Sequence, residues 1–159
     1  MISINDLSVS YIKNKPVLNQ LNLELKLNEI HGIVGLNGAG KTTLLNAVYG
    51  LKHINSGTVL RNGEKLNKRD VSFLPTENHF YSNITGSEYL SLFKNKDFDV
   101  HEWNKLFRLP LDSIIDRYST GMKKKLALTG ILKQDKTIMI LDEPFNGLDI
   151  ETNRIIRSV

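Results

Sequence analysis

The stretch Gly35-Leu36-Asn37-Gly38-Ala39-Gly40-Lys41-Thr42 constrains this chain more than any other. It fits the pattern G-x-x-x-x-G-K-[ST]. Glycines let the backbone take positive φ and approach a ligand with no Cβ in the way. Successive amide N–H groups then point inward, and a helix opening behind them adds its positive N-terminal end. The result is a cradle for phosphate oxygens. Lys41 is placed to reach the β- and γ-phosphates of a nucleoside triphosphate, and the Thr42 hydroxyl to ligate Mg²⁺. At ordinary residue frequencies the pattern arises by chance about once in a few hundred chains of this length. The flanks agree with it. Ile30-His31-Gly32-Ile33-Val34 reads as a short, buried central strand, and Leu44, Leu45, Val48 and Tyr49 follow at helical spacing, with Gly50 as a stop.

The remaining segments extend this strand–loop–helix unit. Ile2 and Ile4, and later Leu21, Leu23, Leu25 and Leu27, recur at every second position, as in half-buried antiparallel strands. Pro16 and Lys13-Asn14-Lys15 mark the turn between them. Gly57-Thr58-Val59-Leu60 with Asn62-Gly63 predicts a hairpin, and Val71-Ser72-Phe73-Leu74 a strand closed by Pro75. From about Thr85 the character becomes helical. Thr85-Gly86-Ser87-Glu88 has the form of a capping box, and Trp103, Leu106 and Phe107 fall on one helical face as core. A further helix begins near Met122. Thr137-Ile138-Met139-Ile140-Leu141 reads as a fully buried parallel strand ending at Asp142-Glu143-Pro144. The pattern is α/β, with an antiparallel start and a helical insert of about 50 residues.

Composition excludes several classes. A chain of 159 residues suits one domain, and 40% apolar with 24% charged residues is a globular composition. Absence of cysteine removes disulfides and thiolate metal sites and suits a reducing compartment. No stretch approaches the ~20 apolar residues that span a bilayer, and Met1 to Ser10 lack the features of a signal peptide. The chain is therefore expected in the cytoplasm, meeting a membrane only through a partner. The net charge of +4 is mild and spread out, so no nucleic acid is expected. The run Lys123-Lys124-Lys125 reads as the solvated side of a helix.

A phosphate loop of this kind needs an acidic residue on another strand to hold Mg²⁺, and Asp142 ends the apolar strand. Glu143 beside it can accept a proton from an attacking water. These residues together resemble the nucleotide-binding domain of an ABC transporter. The glycine loop, the helical insert, Tyr118-Ser119-Thr120-Gly121-Met122 and Leu141-Asp142-Glu143-Pro144-Phe145-Asn146-Gly147-Leu148-Asp149 occur in that family's order along the whole chain. The resemblance implies a P-loop NTPase of ABC type. Such a domain has an antiparallel β-subdomain, a mixed or parallel core sheet and a short helical subdomain, here at about 77–132 within a single domain of 1–159. It implies that Gly35, Asn37, Gly38, Ala39, Gly40, Lys41, Thr42 and Thr43 bind ATP, with Tyr11 stacking on adenine. Ser119 and Gly121 would contact ATP held by a second ATP-binding domain, and Asp149 would cross that dimer interface. Lys41 and Glu143 would be catalytic, and Thr42, Asp142 and Thr76 would serve Mg²⁺. Separate transmembrane permease subunits would be the other partners, holding the chain at the inner face of the membrane.

Three departures stand out. The signature reads Ser-Thr-Gly-Met-Lys where Ser-Gly-Gly-Gln is commoner, and Thr76 takes the place of a glutamine, with Glu77 beside it as an alternative. No histidine follows Asp149, where the family carries a switch histidine. The helix-periodic ending from Ile150 reads as a chain cut inside a helix, for which binding without efficient hydrolysis is one expectation. The short insert and the signature look most similar to subunits serving drug, bacteriocin or antimicrobial-peptide exporters. A non-transport ABC ATPase acting on DNA or ribosomes is the alternative, although the chain has neither a long coiled-coil insert nor a second linked domain. A GTPase is disfavoured because Asn95-Lys96-Asp97-Phe98 lacks the final aspartate of the guanine-reading motif.

Overall fold

A computed structural model describes residues 1–13 and 15–148, so Asn14 of the predicted first turn, Asp149 and the periodic ending lie outside the described residues. The chain is α/β and forms two compact units, Met1–Val71 and the part from Ser72 onward.

The first unit is built on a four-stranded antiparallel sheet in the order β2-β1-β3-β4. Its strands are β1 (Ile2–Ile12), β2 (Lys15–Leu25), β3 (Ser56–Arg61) and β4 (Glu64–Lys65). The period-two pattern sets the register: Ile2 faces Leu25, Ile4 faces Leu23 and Leu7 faces Leu21. Buried positions step from Ile2 and Ile4 to Leu7 and Val9, a change of phase that needs one extra residue. Asp6 supplies it, at φ +48°, as a bulge. Asn22 ties the bulge down, accepting from the Asp6 amide and donating to its carboxylate. Gly57 crosses at this point, with φ +91°; a Cβ there would lie 2.5 Å from the carbonyl oxygens of Asn5 and Asp6. The β3–β4 hairpin turns on Asn62 and Gly63, both at positive φ as a two-residue turn of this hand requires. Helix α1 (Lys41–Tyr49) packs Thr43, Leu44 and Ala47 inward and stops at Gly50, in the left-handed conformation.

The expected central strand Ile30–Val34 is not formed. The segment belongs to neither sheet, and Ile30 and Val34 are almost wholly exposed. An apolar run becomes a buried strand only where neighbours take up its backbone hydrogen bonds, and the first unit's sheet is completed by β1 to β4 without it.

In the second unit β5 (Val71–Leu74, its first residue belonging to the first unit) pairs with β6 (Ile138–Leu141). The Ser72 hydroxyl meets the Ile138 carbonyl, and the Asp142 amide donates to the Leu74 carbonyl, so the two strands run the same way. All of β5 is buried. In β6 only Ile140 is buried and Met139 stays exposed, so the strand is half-buried and not fully buried as expected. Among the described residues, the α-helices that follow β5 are α2 (Gly86–Ser91), α3 (Val100–Phe107) and α4 (Thr120–Lys133). The capping box forms in full at α2. The Thr85 hydroxyl accepts from the Glu88 amide at 3.1 Å, and the Glu88 carboxylate accepts from the Thr85 amide at 2.7 Å. The Thr85 amide, and after it the Thr85 hydroxyl donating to the same carboxylate at 3.0 Å, hold the Glu88 carboxyl below its usual range. Leu74, Leu90, Phe107, Leu126, Ala127 and Ile131 meet in one core. Burial of Leu126, which is fully inaccessible, contributes about 2 kcal/mol. Tyr89 packs edge-on between Phe80 and Phe93, and burial pushes its phenol up to about 12. On α3, Phe107 is buried, but Trp103 stacks on Phe98 and Leu106 is exposed. The side of α3 that meets the core carries Val100 and Phe107, and Leu106 lies off it.

Candidate functional site

In the first unit the glycine loop leads straight into α1. Gly38 (φ +82°) and Gly40 (φ +92°) take the left-handed conformation that side chains resist, and the Ala39 amide closes the turn onto the Leu36 carbonyl at 3.1 Å. Gly40 is also the N-cap. A Cβ there would press on Leu18 at 3.0 Å and on Val17 at 3.2 Å, so the loop is seated against β2. Among the described residues no side chain caps the start of α1, and its first turn, Lys41 to Thr43, holds no acid. Lys41 curls over the loop and donates to the carbonyls of Gly35 at 2.8 Å and Leu36 at 3.0 Å. Left-handed glycines, an uncapped helix start and a cation together have the chemistry of a phosphate cradle. Gly35, Asn37, Gly38, Ala39 and Thr42 line it in the open, while Thr43 is buried.

Tyr11, near the end of β1, reaches this helix. Its hydroxyl lies 3.3 Å from the Thr43 hydroxyl, and its ring is exposed. The ammonium of Lys52 sits 3.7 Å above that ring, a cation–π contact that sequence reading missed; its only trace is a lysine just past the Gly50 stop.

In the second unit Asp142 follows β6 and is buried. Its Oδ2 accepts from the Thr76 hydroxyl at 2.9 Å. A buried carboxylate beside a hydroxyl with lone pairs to spare offers the hard oxygen donors that Mg²⁺ prefers. Glu77 is exposed, and Thr76 is the residue of the two brought to Asp142. Among the described residues no group of three or more His, Cys, Asp or Glu side chains could hold a metal, so a site here depends on hydroxyls and phosphate as well as carboxylate. Glu143 is exposed at φ +50°, a conformation disfavoured for its residue type. It accepts from the Asn146 side chain at 3.2 Å, and the Asn146 amide donates back to its carbonyl.

Ser119 is the N-cap of α4 and accepts from the Met122 amide at 3.2 Å. Gly121 lies against the turn after Glu143: a Cβ on it would stand 3.3 Å from the Gly147 carbonyl. The Thr120 methyl also faces Gly147, which accommodates the departure from glycine at that position. Lys124 is not on a solvated face but buried, with its ammonium 3.3 Å from the carbonyls of Pro75 and Thr76. Burial pulls its pKa down, against the opposing pull of Asp142 and Glu143. A run of three lysines on a helix points in three directions, and composition does not say which one turns inward.

Among the described residues no helix is long and apolar enough to cross a membrane. The ABC transporter family model matches residues 18–146. The chain is 31% identical over 162 residues to the ABC transporter ATP-binding protein YtrB of Bacillus subtilis (strain 168), covering 96% of this chain and 55% of that protein. It is 32% identical over 177 residues to the bacitracin transport ATP-binding protein BcrA of Bacillus licheniformis, covering 100% of this chain and 57% of that one. A solved structure of an ATP binding subunit of an ABC transporter superposes with a TM-score of 0.86 at 27% identity, over 99% of this chain and 72% of that one. The chain thus spans a little over half the length of these two curated relatives. With the family's pattern matched from Leu18 to Asn146, the chain belongs to the ABC transporter family.

Proposed function

We propose that this chain is the ATP-binding and ATP-hydrolysing part of a transporter, acting with a second ATP-binding domain and with separate transmembrane permease subunits. The observation that supports this most is the cradle at α1: left-handed Gly38 and Gly40, an uncapped helix start and Lys41 held over the loop. In this reading residues 1–159 form one ATP-binding domain, with 77–132 as its helical insert. The amides from Gly35 to Thr43 bind the phosphates, Lys41 offsets charge on the β- and γ-oxygens, and Tyr11 takes the adenine. Mg²⁺, when bound, would spread the charge that builds up on the phosphate oxygens. Thr42, and Asp142 with Thr76, would be the residues to offer it oxygen donors.

Glu143 is the general base. It takes the proton of a water whose oxygen bonds to the γ-phosphorus, while the bond from that phosphorus to the β–γ bridging oxygen breaks and ADP leaves. Its exposure leaves it open to water, and Asn146 orients it. Ser119 and Gly121 serve the ATP of a second subunit, because a hydroxyl and glycine amides at a helix start form another anion site. The insert around Glu77 to Phe93 meets the permease, which holds the chain at the cytoplasmic face of the membrane. A relative named for bacitracin transport and the Ser-Thr-Gly-Met signature favour an exporter-type subunit whose cargo the permease selects.

The test compares ATP binding and phosphate release in the unaltered chain and in Glu143→Gln, with and without permease. We expect the variant to bind ATP and to lose at least ~100-fold in turnover. Unchanged turnover would remove Glu143 from its role. Turnover stimulated by DNA or ribosomes and indifferent to permease would favour the non-transport alternative.

A further inference from the structure

Lys124 is a buried cation that the mechanism above does not use. It sits at 5% exposure in the middle of the Lys123–Lys125 run, on a helix whose next residues, Leu126 and Ala127, enter the core. An apolar side chain would be the cheaper occupant of such a position, since a buried ammonium must replace its water with other oxygens. Lys124 does so with two backbone carbonyls, those of Pro75 and Thr76, each at 3.3 Å. These belong to the turn that leaves β5. The Thr76 hydroxyl in the same turn donates to Asp142 at 2.9 Å, and the Asp142 amide donates to Leu74 one residue before the turn. The turn is therefore gripped on its carbonyl side by Lys124 and on its side-chain side by Asp142.

We propose that Lys124 is a positioning residue that fixes the peptide of Thr76, and through it aims the Thr76–Asp142 pair at Mg²⁺. This rests on the assignment of that pair to Mg²⁺ made above. Two carbonyls converging on one ammonium set the tilt of their peptide planes, and the tilt at Thr76 sets where its hydroxyl points. The same helix begins at Ser119. One rigid element of this unit thus carries both the end assigned to a second subunit's phosphate and the clamp on the metal-side turn, so a shift of the α4 start reaches Thr76 through Lys124.

The test measures affinity for a fluorescent ATP analogue in excess Mg²⁺ and in EDTA, for the unaltered chain, Lys124→Met, Lys124→Arg, Thr76→Val and the Lys124→Met/Thr76→Val double variant. We expect Lys124→Met to lose about tenfold in affinity with Mg²⁺ and less than twofold in EDTA, Lys124→Arg to restore most of the loss, and the double variant to be little worse than Thr76→Val alone. Equal weakening with and without Mg²⁺ would make Lys124 a stability residue only and overturn the proposal. Full additivity in the double variant would overturn the route through Thr76. If Lys124→Met does not fold, Lys124→Gln takes its place, with hydrogen exchange at the amides of Thr76 and Glu77 as the second readout. Faster exchange there, with α4 still protected, supports the clamp; unchanged exchange contradicts it. Should the unaltered chain bind the analogue equally well with Mg²⁺ and EDTA, the Mg²⁺ assignment itself fails, a result distinct from failure of Lys124.

Discussion

Replacing Gly121 with alanine separates folding from assembly, because two opposing terms nearly cancel in the folded chain. Gly121 lies in the first turn of α4, where exchange for alanine stabilises a helix by up to about 1 kcal/mol, less near the end than in the middle. Against this, the new Cβ meets the Gly147 carbonyl at 3.3 Å, a few tenths of an ångström closer than is comfortable. Gly147 belongs to an exposed turn that can shift by that amount, at a cost of about 0.5–1 kcal/mol. Within α4 the buried apolar residues begin farther along, at Leu126. The net change in unfolding free energy should stay within about 1 kcal/mol of zero. Assembly should respond differently. If the Gly121 amide serves a second subunit's phosphate, a methyl group beside it weakens a charge-assisted hydrogen bond of about 1.5–3 kcal/mol, or roughly 10- to 100-fold in affinity. Urea unfolding reads the first quantity. Sedimentation with ATP in a Glu143→Gln background, where turnover does not empty the site, reads the second. A loss of more than about 2 kcal/mol in stability would contradict the described packing of α4, and undiminished ATP-dependent dimerisation in a normally stable variant would refute the role of Gly121.

Two predictions concern the fold alone. Gly57→Ala should cost at least about 2 kcal/mol in a denaturant titration, since its Cβ strikes backbone oxygens at 2.5 Å; Gly63→Ala, at similar φ but with open space around it, should cost about 1 kcal/mol, and equal effects would contradict the bulge at Asp6. Glu88→Gln tests the capping box through pH. The folded carboxyl titrates lower than the unfolded one, so its contribution is full above the usual value of 4.5 and disappears as pH falls through the lowered folded value. The stability gap between the two proteins should close across that window, and a gap that persists well below it would be inconsistent with the cap.

Local chemistry was readable from the sequence wherever it needed no distant neighbour. The glycine loop, the Gly50 stop, the Asn62-Gly63 turn and the Thr85–Glu88 box depend on residues within a few positions of one another, and each takes the expected form. The alternation in β1 and β2 gave the strands but not the slip at Asp6, which depends on the close crossing of Gly57 from far along the chain. Ile30–Val34 and Met139 show the same limit from the other side. Apolar character marks a segment that can be buried, while burial itself depends on which strands come to flank it. Within the candidate site, Asp142 was evident from the end of its strand, and the geometry brings Thr76 to it. Lys124 was illegible because its partners are backbone carbonyls, which leave no signature in the sequence.

The central claim is that the loop at Gly35 holds the phosphates of ATP, and equilibrium binding of ATP in the presence of Mg²⁺ tests it most directly. Among the described residues the Lys41 ammonium donates to the loop carbonyls of Gly35 and Leu36 alone, so Lys41→Ala should leave the circular dichroism spectrum and unfolding midpoint nearly unchanged. The account predicts at least a tenfold loss of ATP affinity in that folded variant. Undiminished binding would show that the nucleotide, if it binds at all, is held somewhere else.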